Sequence, residues 1–235
     1  MINIVIPMAG LGSRFSDAGY ENPKPFIDVA GKPMIERVLD NLSAPSVRFI
    51  LLVREEHIEN YSRYINAIKE TYSSIIFPIS DLTQGTACTV LLARNLINND
   101  TPMVIANSDQ IIDINFNDFI NDALTRNLDG SILTFTDLDK NPKWSFAKLD
   151  QNDLVTEVAE KKPISAYATV GIYYFKKGSD FVEGAIDMIL KQDMTNGEYY
   201  SCPVYNYLVE KKLKVGIYNM EESQMHGIGT PDDLN

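Results

Sequence analysis

Two stretches of the chain are apolar on both faces: "INIVIPM" near the start and "VRFILLVR" from Val47 to Arg54. Runs of this kind, rich in β-branched residues and without alternation, predict strands buried inside a parallel sheet. Between them, "KPMIERVLDNL" sets Met34, Ile35, Val38, Leu39 and Leu42 at helical spacing. Pro33 falls near the helix start, where its missing N–H costs nothing. The alternation continues with a helix from about Glu55, a strand "SIIFPI", a helix "TACTVLLARNLI" with Thr86 placed to cap it, and a strand "PMVIAN". After that the pattern changes. "GSILTFTDL", "WSFAKLD", "LVTEVAE" and "AYATVGIYYF" come close together, the middle pair joined by "DQND", as in an antiparallel or mixed arrangement. Helices at roughly 180–191 and 199–211 and a strand "KVGIYN" complete the pattern.

The expected fold is therefore α/β: a Rossmann-like, doubly wound mixed sheet with a small antiparallel extension in its second half. Ligands are expected at the carboxyl ends of the strands. No repeat and no linker rich in Gly or Ser interrupts the chain. The closing "GTPDDLN" reads as a helix start whose helix does not follow, which predicts that the natural chain continues.

Composition narrows the function. The chain has 235 residues, 45% of them hydrophobic, enough for one sizeable α/β domain. Its 21 basic and 32 acidic residues give a net charge of −11, which argues against a nucleic-acid partner, because binding a phosphate backbone needs a dense basic face. Small anions remain plausible ligands where cations are concentrated locally. Cys88 and Cys202 are isolated, and His57 and His226 form no cluster with them, so a zinc site or disulfide scaffold is not expected. The start lacks a basic segment followed by an apolar one, and no run is long enough to span a membrane. The expectation is a cytoplasmic protein without a membrane partner.

The first loop carries the chemistry. "IPMAGLGSRFSDAGYENPKPF", Ile6 to Phe26, leaves a buried strand and runs on without helical or strand period, holding Gly10, Gly12, Gly19, Arg14 and Lys24. Glycines after a first parallel strand let backbone N–H groups close on phosphate oxygens. A dinucleotide fingerprint would need glycine where Phe15 stands, and the Gly-Lys-Ser/Thr of a Walker A loop is absent. A phosphate loop of another type fits, with Arg14 and Lys24 as partners for a polyphosphate. Taken alone, a glycine turn with two solvated cations fits as well.

"PMAGLGSRF…PKPFIDVAGKPMI" resembles the signature of the sugar-phosphate nucleotidyltransferases, in which a G-x-G-x-R loop and a downstream Lys-Pro open a Rossmann-like domain. The resemblance continues in order along the chain: "QGTACTVLLA", "ANSD", "EKKP", "ATVGIYYF" and "NGEYY". It implies a single nucleotidyltransferase domain over 1–235, with residues 1–130 as the nucleotide-binding half and 131–235 as the acceptor-binding half. It implies Mg²⁺ on Asp109, the residue that follows a parallel strand, with Asp113 a weaker neighbour.

The implied reaction is attack by an acceptor phosphate oxygen on the α-phosphorus of a nucleoside triphosphate, expelling pyrophosphate. Arg14 would meet the leaving pyrophosphate, Lys24 the α-phosphate, and Lys161 the acceptor phosphate. "EKKP" carries an extra lysine, so Lys162 is an alternative to Lys161. Ala9, Gly10 and Gly12 would cradle phosphates, while Gln84, Gly85 and Thr86 would read the base. Ser145, Glu160, Gly171 and Glu198 would line the acceptor site. Trp144 and the tyrosines at 173, 174, 199 and 200 read as core and crevice wall.

Two departures stand out. Ser145 replaces a glycine usual on the acceptor side, and Gly227, in "HGIGT", replaces a second metal-binding aspartate; His226 beside it is a poor Mg²⁺ ligand. Within the family the sequence is most similar to the capsule-locus cytidylyltransferases. That similarity implies CTP as donor, a phosphorylated small-molecule acceptor such as L-glutamine phosphate, and a role in capsule phosphoramidate synthesis. A sugar-1-phosphate nucleotidyltransferase, a catalytically silent nucleotide-binding regulator and a nicotinamide oxidoreductase are the rival readings. Oligomeric state is left open, a homo-oligomer included.

Overall fold

The computed structural model describes residues 1–234. In chain order its strands and α-helices begin with β1 (Ile2–Pro7), α1 (Ser13–Asp17), β2 (Asp28–Val29), β3 (Lys32–Pro33), α2 (Met34–Asn41) and β4 (Val47–Arg54). Next come α3 (Glu55–Asn60), α4 (Ser62–Thr71), β5 (Ser74–Ile79), α5 (Thr86–Leu92), α6 (Arg94–Ile97), β6 (Met103–Ala106) and β7 (Gln110–Ile112). The second half holds α7 (Phe116–Thr125), β8 (Gly130–Thr136), β9 (Phe146–Leu149), β10 (Val155–Ala159), β11 (Tyr167–Phe175), α8 (Gly178–Leu190), α9 (Val204–Glu210), β12 (Val215–Met220) and β13 (Met225–Gly227).

Among the described residues, nine strands form one sheet with the path β10-β9-β11-β6-β1-β4-β5, β8 pairing with β11 and β12. Parallel pairing joins β1 to β4 and β6, and β4 to β5. Strand β11 then runs antiparallel to β6, β8 and β9. The mixed, doubly wound arrangement expected from the sequence is thus present, with β9 and β10 as the antiparallel extension.

Helices cover both faces. On one face α2, α4 and α7 pack Met34, Ile35, Val38, Leu39, Ile65, Ile68, Phe119 and Ile120 against the sheet. On the other, α5, α6, α8 and α9 contribute Ala87, Val90, Ile97, Phe181, Val182 and Leu208. The central strands β1, β4 and β6 have no solvated face, which is why their sequences show no alternation.

Three expectations about elements need correction. Thr86 does not cap α5: the cap position is Gly85, with φ 111° and no side-chain cap bond. The Thr86 hydroxyl instead accepts from the Ser201 backbone N–H at 3.1 Å. The helix expected from 199 begins at Val204, because Tyr199 is committed to backbone pairing across the chain. Its N–H donates to the Gln84 carbonyl at 2.8 Å, and its carbonyl accepts from Ala87 N–H at 3.0 Å. The single helix from Glu55 is broken at Tyr61, whose ring stacks on Phe26 with centroids 5.4 Å apart, while Tyr64 stacks on Phe26 at 4.9 Å. Helix α7 was not anticipated, although Asn115 caps it by accepting from Asn117 N–H at 3.1 Å.

Candidate functional site

The chain leaves β1 at Pro7 and crosses the carboxyl end of the sheet as the glycine loop, where the carboxyl end of β6 also delivers Asn107, Ser108 and Asp109. A cleft of about 530 Å³ opens there. Ala9, Gly10 and Gly12 form one wall, Gly85 and Thr86 another, and Lys24 and Asp109 lie in it with their side chains only 22% and 24% exposed.

Lys24 Nζ donates to Asp109 Oδ2, an ion pair that closes a separation of 85 residues. Its position is set from two sides. Gly12, with φ +63°, passes so close that a Cβ there would sit 2.9 Å from the Lys24 Cβ, so a side chain at 12 would push the lysine aside. Lys24 also opens a short 3₁₀ turn ending at Phe26, and the stack of Phe26 on Tyr61 and Tyr64 anchors that turn.

Asp109 is anchored from below. Its carbonyl accepts from Ile228 N–H at 2.9 Å. Strand β7, directly after it, is clamped between β13 and the side chain of Asn41, which donates to the Ile112 carbonyl at 2.8 Å and accepts its N–H at 2.9 Å.

A second, smaller cleft of about 250 Å³ adjoins the first. Its wall includes Trp144, Ser145, Glu160, Thr169, Gly171, Tyr173 and Cys202. Pro7, Thr86, Asn107 and Tyr200 line both clefts, so the two meet along a shared wall. Here the polar groups satisfy one another. The Ser145 hydroxyl donates to Glu160 Oε2, and Thr169 and Tyr173 share a hydroxyl hydrogen bond of 3.1 Å. Burial pushes the Glu160 carboxyl above its ordinary range, against the opposing pull of the Ser145 hydrogen bond and the Lys161 charge. Burial likewise drives the Cys202 thiol and the Tyr173 hydroxyl upward, leaving both protonated.

The expected site residues thus fall into three groups. Ala9, Gly10, Gly12, Lys24, Gly85, Thr86 and Asp109 line the first cleft, and Ser145, Glu160 and Gly171 line the second. Glu198, expected on the acceptor side, lines the first cleft beside Tyr200. Lys161 is exposed, with φ +54°, and donates to the Tyr200 hydroxyl at 2.6 Å, its ammonium lying 4.6 Å from the ring centre. That hydrogen bond raises its pKa. Arg14, Gln84 and Lys162 are exposed and line neither cleft.

His226, paired with Ile111 across β13 and β7, has its exposed Nε2 2.7 Å from Asp113 Oδ2 just beyond β7. Among the described residues no group of three or more His, Cys, Asp and Glu side chains converges. Trp144 and Tyr200 form cleft wall, while Tyr174 and Tyr199 are buried core. Sequence reasoning missed Asn107, Ser108 and Thr83, all in the first cleft; the strand end "ANSD" was the signal available for the first two.

Set against known proteins, the pattern of the nucleotidyl transferase family matches residues 4–234. The bifunctional protein GlmU of Methanococcus aeolicus is 27% identical over 177 residues, covering 74% of this chain and 40% of its own. A mannose-1-phosphate guanylyltransferase catalytic subunit beta of Dictyostelium discoideum is 26% identical over 181 residues, with 73% and 48% covered. The chain therefore spans less than half the length of these two curated relatives. Among solved structures, a nucleoside-diphosphate-sugar pyrophosphorylase from Vibrio cholerae RC9 superposes with a TM-score of 0.83 at 28% identity, covering 98% of this chain and 97% of that one. Among the described residues no helix is long and apolar enough to cross a membrane.

Proposed function

The chain belongs to the nucleotidyl transferase family, and from that premise we propose that it moves a nucleoside monophosphate from a triphosphate onto a phosphorylated small molecule, releasing pyrophosphate. The observation that carries this reading is the pair of adjoining clefts, one floored by the Lys24–Asp109 ion pair, the other lined by the buried Ser145–Glu160 pair. A triphosphate in the first and an acceptor in the second bring two phosphates together at the shared wall.

Near neutral pH a phosphate monoester is mostly dianionic, so its oxygen attacks without a general base. The protein's task is then alignment and charge neutralisation. Lys24 is held ready by Asp109, and an α-phosphate entering the cleft gives its ammonium a second anionic partner. Gly10 and Gly12 present backbone to the phosphates, and Gly85 and Thr86 lie where a base would be read. Arg14, exposed on α1, reaches the outer phosphates by moving its side chain inward. Lys161 leaves Tyr200 for the acceptor phosphate.

The donor set of the first cleft fits Mg²⁺: of the three carboxylates that line it, Asp81, Asp109 and Glu198, Asp109 stands at the end of β6 beside Lys24, and this ion commonly takes one or two carboxylates and fills the rest with waters and substrate oxygens. When bound, it would neutralise phosphate charge at the reacting centre. With Gly227 in place of a carboxylate, Asp109 is the side-chain ligand proposed here.

The second cleft selects the acceptor. The Ser145 hydroxyl is occupied by Glu160, so the discriminating group is the Glu160 carboxylate, which accepts from a hydroxyl or an ammonium on the acceptor. CTP with L-glutamine phosphate satisfies this through the amino group, in keeping with the capsule-type sequence resemblance. A sugar 1-phosphate satisfies it through ring hydroxyls, and the pyrophosphorylase likeness over 98% of the chain supports that second reading.

A matrix of the four common triphosphates against L-glutamine phosphate, glucose 1-phosphate and mannose 1-phosphate, read as pyrophosphate release, tests both. Turnover with CTP and L-glutamine phosphate at least about tenfold above any hexose pair, near 1.4 kcal/mol, supports the first acceptor; the reverse supports the sugar. Triphosphate binding without release from any pair would overturn the enzymatic reading in favour of a silent nucleotide-binding protein.

A further inference from the structure

Four residues line both clefts, and the two hydroxyl side chains among them are already hydrogen-bonded within the protein. Pro7 has no polar side chain. The Thr86 hydroxyl oxygen accepts from the Ser201 backbone N–H and hydroxyl, each at 3.1 Å, and the Tyr200 hydroxyl oxygen accepts from Lys161 at 2.6 Å. Asn107 differs: it is exposed, and its side-chain amide makes no hydrogen bond among the described residues. Its main chain is nevertheless fixed, the N–H donating to the Gly171 carbonyl at 3.0 Å.

Gly171 leaves room for that amide. It sits at φ +88°, where β11 exchanges its pairing with β9 for pairing with β6, and any side chain there would run into the Asn107 amide. An unpartnered amide with room around it, at the meeting point of the two clefts, can donate to a ligand that enters either.

From this geometry we infer that Asn107 is a substrate-positioning residue, its side-chain N–H groups donating to the phosphate oxygens at the junction of the two clefts. The inference rests on the reaction proposed above. There, an acceptor phosphate oxygen forms a bond to the α-phosphorus, the bond from phosphorus to the bridging oxygen breaks, and its electron pair leaves with pyrophosphate; no proton moves.

The residue type suits this place. Two approaching phosphates repel, and a neutral donor bridges them without competing for Asp109, two residues on. A cation at 107 would pair with Asp109 as Lys24 does, and a carboxylate would repel the incoming phosphate. Asn107 supplies two N–H donors with no charge.

The test compares wild type with Asn107→Ala and Asn107→Ser, using the best pair from the substrate matrix. The alanine variant is expected to lose about a hundredfold in kcat, the scale of one preorganised donor, with a rise in acceptor KM and a change of less than about threefold in triphosphate KM. Serine, which keeps one donor, recovers part of the loss, and the thermal midpoint stays at the wild-type value because the side chain is exposed. Wild-type kcat and KM in the alanine variant, or a loss of kcat that follows a lowered midpoint, would overturn the inference while leaving the proposed reaction standing. If wild type turns over no pair, the proposed reaction falls, and calorimetry with inorganic phosphate decides on Asn107. Binding about tenfold weaker in Asn107→Ala supports its donor role; equal binding, or none by wild type, overturns it.

Discussion

The two clefts meet at one wall but sit on different kinds of sheet, and their polar groups behave differently. The first opens where parallel strands β1 and β6 end, so its functional groups sit on loops and keep part of their surface in water, as Lys24 and Asp109 do. The second is built against antiparallel strands β9 and β11, and its polar side chains are turned toward one another, Ser145 to Glu160 and Thr169 to Tyr173. One cleft offers charge that an incoming anion can engage; the other offers a desolvated polar surface that an acceptor must match. Changes in the first should therefore strike turnover, and changes in the second should strike selectivity and pH response.

The largest effect is expected from Asp109→Asn. It keeps the volume but removes the carboxylate that both pairs with Lys24 and is proposed to hold Mg²⁺. Turnover should fall on the order of a thousandfold or more, with the circular dichroism spectrum unchanged, and pyrophosphate release at saturating Mg²⁺ is the measurement. Recovery of wild-type rate at high Mg²⁺ would remove Asp109 from the metal role.

Lys24→Ala comes next, with kcat lowered about a hundredfold. Its contrast is Arg14→Ala. Because Arg14 is exposed and lines neither cleft, its removal should raise triphosphate KM by about tenfold and touch kcat less. Equal kcat losses in the two variants would place Arg14 at the reacting phosphate and break the distinction between a preset and a recruited cation.

The same contrast decides what could be read from sequence. Strands β4 and β5 stand at the bounds read from "VRFILLVR" and "SIIFPI", because apolarity on both faces is a local property. The glycine loop and the strand-end aspartate were legible for a related reason: topology sends loops after parallel strands to one edge. What was not legible depends on distant partners. Thr86 looked like a cap, yet its hydroxyl serves Ser201, 115 residues away. Glu198, expected beside Ser145 and Glu160, lines the first cleft instead, next to the backbone pairing of Tyr199 with Gln84. Strands β7 and β13 are three residues each and exist only by pairing with each other, so neither carries its own period. Helix α7 is a different case: Phe116, Phe119, Ile120 and Ala123 have helical spacing behind an Asn cap, and the signal was present.

The smallest expected effect, and the one that most sharpens the comparison, is at Glu160. Its carboxyl is raised above the ordinary glutamate range chiefly by burial, so in the folded chain it holds its proton to higher pH than in the unfolded chain. The sign for stability follows: the folded state binds the extra proton, so this group's contribution is fully present below the unfolded value and is lost as pH rises through the folded one. At neutral pH the ionised carboxylate is therefore a cost to folding. Glu160→Gln keeps a hydrogen-bond acceptor for Ser145 and removes that charge, so its thermal midpoint at pH 7.5 should exceed wild type by a few degrees, with the gap closing near pH 4.5. Function should move the opposite way. If the ionised form accepts a donor from the acceptor, wild-type kcat/KM for the acceptor falls as pH drops toward the raised pKa, and Glu160→Gln loses that acid limb along with about tenfold in kcat/KM, roughly one hydrogen bond to a charged group. Triphosphate KM should not change, because Glu160 lines only the second cleft. A midpoint that falls instead of rising would mean that the Ser145 hydrogen bond outweighs the burial of charge, and the second cleft would then be held together by its ionised carboxylate rather than strained by it.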